Sequence, residues 1–338
     1  MYAIPNLQER LNNLFLLVLF VIFAGWQLGQ GVSVLFEPGA MVYVDAARNF
    51  IETGSPSTAC GDPSSGCHLL WAAILGGLGV VLAPAMPTWL ALLCISALPL
   101  LFFAWSCRAF VFVQILIATY FVGFAMEGIL AAVLFILLAW SIQQHLRLVT
   151  IVFTAMIVLS RVDFIIPMGV LMLWCLMRYR SIVLALVFGL ILGLVLDLAG
   201  IWVISGEPYP ILLFPKLFFV GTDISIDRLT QNFASAENMV RLGIWLGAMM
   251  VLVLARETLG INRHRLLFQP AFHIALAAFV LFHAMTAELN GALFAAPLLT
   301  AIYASGRVVA GFSWRSLPSL LLGILAPGAY AAVELTQG

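Results

Sequence analysis

Long apolar stretches follow one another along almost the whole chain, and they restrict the fold more than any other feature. Hydrophobic residues make up 64% of the sequence and charged residues 9%, whereas a soluble domain carries roughly a quarter charged residues. The stretches lie at residues 13–36, 69–86, 88–107, 109–125, 128–143, 148–162, 164–177, 181–204, 239–255, 270–287, 291–306 and 316–334. Because backbone polar groups in a bilayer must be paired internally, the sequence predicts an all-α polytopic membrane protein. The net charge of zero argues against a nucleic-acid partner.

Basic residues predict the orientation, because positive charge favours cytoplasmic loops. With a cytoplasmic amino terminus, and with segment 69–86 lying in the interface or re-entering, ten of the fifteen basic residues fall inside. These are Arg10, Arg108, Arg147, Arg178, Arg180, Arg256, Arg263, Arg265, Arg307 and Arg315. Letting 69–86 cross the membrane destroys this bias. Residues 13–36 are interpreted as a retained first span, since that run is too long for a signal peptide. The prediction is one transmembrane domain over residues 1–338, with about 11 spanning helices, in a bacterial inner (plasma) membrane.

Acidic residues collect on the predicted outer face, which carries two long polar loops at residues 37–68 and 205–238. Glu9 and Glu257 alone are predicted to lie inside. This distribution favours an exoplasmic active site or ion site. The alternative is that longer outer loops hold more polar residues of every kind.

In a chain with 9% charged residues, the first outer loop carries Glu37, Asp45, Arg48, Glu52 and Asp62. Apolar spacing over residues 41–54, ending at Gly54, predicts an amphipathic helix on the membrane surface. Asp45, Arg48 and Glu52 would then share roughly one face of this helix, because residues three or four apart are neighbours. On this segment alone, the simpler interpretation is an interfacial helix with solvated charges.

The same loop ends in two cysteines and a histidine. Cys60 and Cys67 are candidates for a disulfide if the loop faces an oxidising compartment. His68 is the one histidine of five that joins this loop. The sequence has no zinc-type ligand spacing and no phosphate-binding glycine loop.

Polar residues recur at three later positions on the predicted outer face. Glu127 lies on a very short turn between apolar segments, where an acid is costly unless it is satisfied or functional. Arg161 and Asp163 interrupt an apolar run; they either neutralise each other, or hold a phosphate and provide a catalytic or metal-binding carboxylate. Lys216 follows a proline-rich segment and suits a phosphate at headgroup level, or it reaches the headgroups as a structural anchor.

The order of these motifs resembles the GT-C superfamily of membrane glycosyltransferases, especially its arabinofuranosyltransferase-like and mannosyltransferase-like bacterial members. The motifs are Ser65-Gly-Cys-His-Leu-Leu-Trp71, Ala125-Met-Glu-Gly128, Leu159-Ser-Arg-Val-Asp163 and the segment from Gly206 to Lys216. The resemblance implies a GT-C-like bundle whose exoplasmic first loop contains an interfacial helix. It also implies transfer of a sugar from a polyprenyl-phosphate donor to a glycan, lipid or protein acceptor on the exoplasmic face.

The resemblance assigns expected roles to individual residues. Asp45 or Glu37 would be the general base that takes a proton from the acceptor hydroxyl. Lys216 and Arg161 would bind the donor phosphate, since a charged phosphate needs fixed cations in a low-dielectric site.

The remaining polar residues would support this chemistry. Glu127 and Asp163 would position the acceptor, the base or a divalent cation such as Mg²⁺ or Mn²⁺. Arg48, Glu52 and His68 would support the loop.

The chain also departs from the family pattern. Pro38 and Gly39 occupy the positions where the family carries its acid or acid pair. This motivates an alternative: a non-catalytic membrane subunit or lipid-binding scaffold that works in a larger membrane complex. An ion-coupled transporter ranks last, because Asp197 is the only plausible mid-helix acid and no internal repeat is evident.

Overall fold

The protein was examined as a computed structural model, which describes residues 38–53, 69–82, 84, 127–205, 225–235, 238–239, 242–243, 245–246 and 270–286. All regular structure in these residues is helical, which confirms the predicted all-helical class for this part of the chain. The predicted spans at 13–36, 88–107, 109–125, 291–306 and 316–334 lie outside the described residues, as does most of 239–255.

The longer helices of the described residues are numbered in chain order. They are α1 (Pro38–Thr53), α2 (Leu69–Leu82), α3 (Glu127–Gln143), α4 (Arg147–Ser160), α5 (Ile165–Arg178), α6 (Arg180–Ser205), α7 (Ile226–Ala234) and α8 (Pro270–Thr286). A 3₁₀ turn, Val162–Phe164, joins α4 to α5.

Helices α1 and α2 pack against each other. Helix α1 buries Tyr43, Ala46 and Ala47, and it exposes Arg48 on another side, as an amphipathic sequence requires. The 14 residues of α2 span about 21 Å at 1.5 Å per residue, less than the roughly 30 Å of a hydrocarbon core. The interfacial or re-entrant placement of 69–86 stays a prediction.

Helices α4 and α6 pack closely side by side, because α6 presents glycine to α4 at two positions. A Cβ on Gly189 would lie 2.6 Å from the Ile151 carbonyl oxygen, and one on Gly193 would lie 2.8 Å from Val158 Cβ. The contacts advance in the same direction along both helices, so α4 and α6 are parallel.

Helix α5 packs against α6 and α8, and α7 packs against α8. Aromatic rings fill the space between α3, the 3₁₀ turn and α8. Phe135 stacks on Phe272 with centroids 4.8 Å apart, and Phe164 contacts Phe279 with centroids 4.7 Å apart. The core therefore links α3, the 3₁₀ turn and α8.

One described helix is long and apolar enough to cross a bilayer, namely the 24 residues Arg180–Val203 within α6. Much of its apolar surface is exposed, including Phe188, Val195 and Val203. Shorter apolar helices are found at Leu70–Leu82, Gly128–Gln143, Arg147–Ser160 and Ala271–Met285. The described residues therefore show one helix of membrane-spanning length, and the bundle of about 11 spans stays a prediction.

Candidate functional site

The polar pair singled out in the sequence lies at a break between two apolar helices. Helix α4 ends at Ser160, and Arg161 has extended backbone angles, with φ −157° and ψ 106°. The 3₁₀ turn follows, and α5 begins at Ile165. Pro167 lies in the first turn of α5, where the missing N–H removes no helical hydrogen bond. The break therefore places Arg161 and Asp163 at one end of the helix pair.

Arg161 and Asp163 form a two-pronged ion pair. Arg161 Nη2 donates to Asp163 Oδ2 at 2.6 Å, and Arg161 Nε donates to Oδ1 at 3.1 Å. Their side chains are 7% and 2% exposed. This arrangement gives the strong geometry of a guanidinium–carboxylate pair, and burial limits screening by salt.

Helix α8 adds a third member to the pair. His283 Nε2 lies 2.9 Å from Asp163 Oδ2, the oxygen that also accepts from Arg161. The contact is short, but the ring N–H is not aligned for a regular hydrogen bond. Phe279, one helical turn earlier, lies under the Arg161 guanidinium at 5.7 Å and against the His283 ring at 4.7 Å. These residues are called the Arg161–Asp163–His283 cluster below.

The charges around Asp163 determine its protonation. Burial by itself raises the pKa of a carboxyl group, but Arg161 and His283 hold the pKa of Asp163 well below its usual range. Asp163 is therefore a carboxylate at neutral pH. A carboxylate held at so low a pKa is a weak general base, so its suitable roles are to position a cation or a neighbouring side chain.

The loop helix brings a second predicted pair together. Arg48 Nε lies 2.9 Å from Glu52 Oε1, with both side chains at least half exposed. Asp45, two turns before Glu52 in the same helix, is partly buried. Since exposed ion pairs are weak, the Arg48–Glu52 pair adds charge to this surface more than it adds stability. Of the two described carboxylates on this helix, Glu52 is in an ion pair and Asp45 is in none within the described residues.

The other predicted site residues fall where side chains are not described. Glu127 is the first residue of α3, and only its backbone is described. Glu37, Lys216 and His68, and the proposed disulfide pair Cys60 and Cys67, lie outside the described residues. Among the described residues, no group of three or more His, Cys, Asp or Glu side chains could hold a metal ion. The divalent cation stays a prediction.

His283 was not among the site residues that the sequence predicted. It is distant in the chain from Asp163, so no local motif joins them. The predicted topology did contain a signal. It placed Asp163 at the outer end of segment 164–177 and His283 near the outer end of segment 270–287, so both residues were expected at the same face.

Helix α7 lies at the same end of the bundle as the cluster. The Asn232 side-chain amide donates to the Ala284 carbonyl at 2.8 Å, and the Ser225 backbone N–H donates to the Met285 carbonyl at 3.2 Å. The second predicted outer loop therefore contributes a helix that is anchored beside His283.

Comparison with known protein families, with curated proteins and with solved structures found no match to this chain. The resemblance to the GT-C superfamily rests on its motifs.

Proposed function

We propose that this chain is a multi-pass membrane protein that transfers a sugar from a polyprenyl-phosphate donor to an acceptor on the exoplasmic face. The observation that carries the proposal is the buried Arg161–Asp163–His283 cluster at one end of an apolar helical bundle. Buried charges in such a bundle are costly and mark functional positions by default. Helix α7 from the second polar loop lies at the same end.

The proposal divides the work between the cluster and the first loop. Asp163 and His283 fix the Arg161 guanidinium, so that its charge is available to the donor phosphate without a movement of the helix ends. Lys216 supplies a second cation. Asp45, whose carboxylate has no described ion-pair partner, or Glu37 takes the proton from the acceptor hydroxyl. Glu127 positions the acceptor or a divalent cation.

The apolar surface supports the membrane part of the proposal. Helix α6 exposes Leu184, Phe188 and Val195 along its length, and an exposed apolar band of this size is unfavourable in water. Lipid chains would cover it. A polyprenyl chain is a partner of the same chemistry, and it would lie between helices with its phosphate near the outer headgroups.

The mechanism is tested by removing the two candidate bases, Asp45 and Glu37. Membranes containing Asp45→Asn, Glu37→Gln or the double variant are given radiolabelled polyprenyl-phosphate sugars, and transfer is counted in the acceptor fraction. We expect the loss of one general base to slow transfer about 10²–10⁴-fold, with the thermal midpoint unchanged. Asp227→Asn, a change of the same kind at an exposed position on α7, is the matched control and should retain transfer. Full transfer by both single variants and by the double variant would contradict the mechanism.

One observation favours a second candidate function, a non-catalytic lipid-binding subunit. Both described acid–arginine pairs, Arg161 with Asp163 and Arg48 with Glu52, are satisfied internally, as a scaffold without chemistry would allow. This candidate predicts that the purified chain retains a polyprenyl-phosphate lipid and a membrane partner but never turns the donor over. Transfer by the purified chain alone would exclude it.

A further inference from the structure

The end of the bundle opposite the Arg161–Asp163–His283 cluster is formed by two turns in contact. One turn joins α3 to α4 at residues 144–146, and the other joins α5 to α6 at Tyr179. The Tyr179 ring lies 5.5 Å from the His145 ring and 5.3 Å from the Trp174 ring. His145 has a left-handed φ of 55°, which turns the chain so that its ring meets Tyr179. The aromatic contacts make the two turns one surface.

Three exposed arginines lie close to these two turns in the chain. Arg147 begins α4, Arg178 ends α5 and Arg180 begins α6. Arg180 Nε donates to the Leu176 carbonyl at 3.3 Å, and none of the three guanidinium groups is paired with a carboxylate within the described ranges. The sequence holds no acid from 128 to 162 or from 164 to 196. Helices α4 and α5 contain no acid, and the one acid of α6, Asp197, lies in the second half of that helix, away from this surface. The three positive charges therefore have no acid of their own helices beside them.

Two helix amino termini add to the positive potential. Helices α4 and α6 are parallel, and both begin at this end, so the positive ends of both helix dipoles face the same way. The residue before α4 is Leu146, and no side chain caps the helix there. The first N–H groups of an uncapped helix are donors suited to an anion.

Apolar side chains lie directly beside the arginines. Leu148 and Met177 are 79% and 77% exposed, and Leu173 and Leu184 are also largely exposed. Arginines at a helix end, aromatic rings and an exposed apolar flank form the pattern of a membrane–water interface. A ligand that fits all three features has an anionic head and long apolar chains.

We propose that this surface, defined by Arg147, Arg178, Arg180 and Tyr179, binds the headgroup phosphate of an anionic phospholipid. The acyl chains lie along the apolar flank at Met177 and its neighbours. The site is separate from the sugar-transfer site and lies at the other end of the bundle. It rests on the proposed membrane embedding and not on sugar transfer.

The test measures lipid binding directly. The full chain, purified in detergent, is titrated with phosphatidylglycerol, with phosphatidylcholine or with inorganic phosphate, and bound lipid is counted by native mass spectrometry. We expect phosphatidylglycerol to bind in preference to phosphatidylcholine, and inorganic phosphate to leave that binding undisturbed. Arg147→Gln, Arg178→Gln and Arg180→Gln should each weaken phosphatidylglycerol binding about fivefold. Raising the salt concentration should reduce the preference through screening.

The controls separate this site from general surface charge and from misfolding. Arg48→Gln removes one exposed arginine from α1 and should leave the preference unchanged. Arg178→Lys keeps the charge and should retain most of the preference, which also shows that substitution at this position is tolerated. Equal binding of the two lipids by the unaltered chain, or an unchanged preference in all three glutamine variants, would overturn the proposal. Neither result depends on sugar transfer, so the proposed enzyme activity is judged separately.

Discussion

A buried arginine is stable only while its charge is compensated, and Arg161 is compensated on two sides. The Asp163 carboxylate accepts hydrogen bonds from two N–H groups of Arg161. The centre of the Phe279 ring lies 5.7 Å from Arg161 Cζ. Asp163 in turn contacts His283, whose Nε2 lies 2.9 Å from Asp163 Oδ2. Each member lowers the cost of burying the next, which makes the cluster a single energetic unit.

Asp163→Asn should destabilise the protein strongly, because it leaves a buried guanidinium without a counter-charge. Breaking one side of a buried pair costs about 3–5 kcal/mol. The measurement is the thermal or denaturant midpoint of the purified chain in detergent. Glu52→Gln, which breaks the exposed pair on α1, should leave the midpoint unchanged and serves as the control.

A paired replacement distinguishes charge compensation from loss of shape. Arg161→Met combined with Asp163→Leu removes both charges and keeps an apolar fill, so it should recover most of the stability that Asp163→Asn loses. If Asp163→Asn alone were as stable as the unaltered chain, the pair would not hold the helix ends together.

At the scale of helices, the closest contact is the seam between α4 and α6. Gly189 and Gly193 are four residues apart on α6 and face Ile151, Thr154 and Val158 on α4. Small residues at this spacing let two helix backbones approach, as they do in membrane helix pairs. The seam fixes how the two helix amino termini line up.

Gly189→Ala should destabilise the seam, since the new methyl group would lie 2.6 Å from the Ile151 carbonyl oxygen. A backbone atom cannot move aside without shifting the helix, and overpacking of this kind costs about 1–3 kcal/mol. Gly169→Ala in α5 is the matched control, because a Cβ there meets nothing within 4 Å. It should be neutral or raise the thermal midpoint, as alanine favours helix. Equal midpoints for the two variants would show that the seam adapts.

The sequence predicted what is local and left out what depends on packing. Apolar runs and the breaks between them placed helices α3 to α6 to within a few residues. Mutual neutralisation of Arg161 and Asp163 was one of two alternatives that their spacing left open, and the structure shows the ion pair. The pattern Gly189-Leu-Ile-Leu-Gly193 was visible but was not recognised as a packing seam. The contact of His283 with Asp163 depends on how α8 docks against α5, and no spacing rule encodes that docking. The described residues do not test the enzyme assignment.

At the scale of the whole molecule, the two ends of the bundle differ in charge and in partners. One end holds the buried Arg161–Asp163–His283 cluster with α7 beside it, and the other holds exposed Arg147, Arg178 and Arg180. If the bundle spans a membrane as proposed, the positive-inside rule predicts that the arginine end faces the cytoplasm. The parallel packing of α4 with α6, and the reversal of the chain at each short turn, agree with alternate helices running in opposite directions.

This polarity predicts which residues can be reached from outside the cell. In a chain whose five native cysteines are replaced by serine or alanine, Asp227→Cys on α7 should react with a membrane-impermeant maleimide in intact cells. Gln144→Cys, in the turn before α4, should react only after the membrane is opened. Both positions are exposed in the structure. A difference in their labelling therefore shows on which side of the membrane each lies, and does not arise from burial of one of them in the protein. Labelling of both from the same side would contradict the orientation, whereas labelling of Gln144→Cys alone in intact cells would invert it. Because the donor phosphate is proposed to lie with the cluster, an inverted result would also move the proposed sugar transfer to the cytoplasmic face.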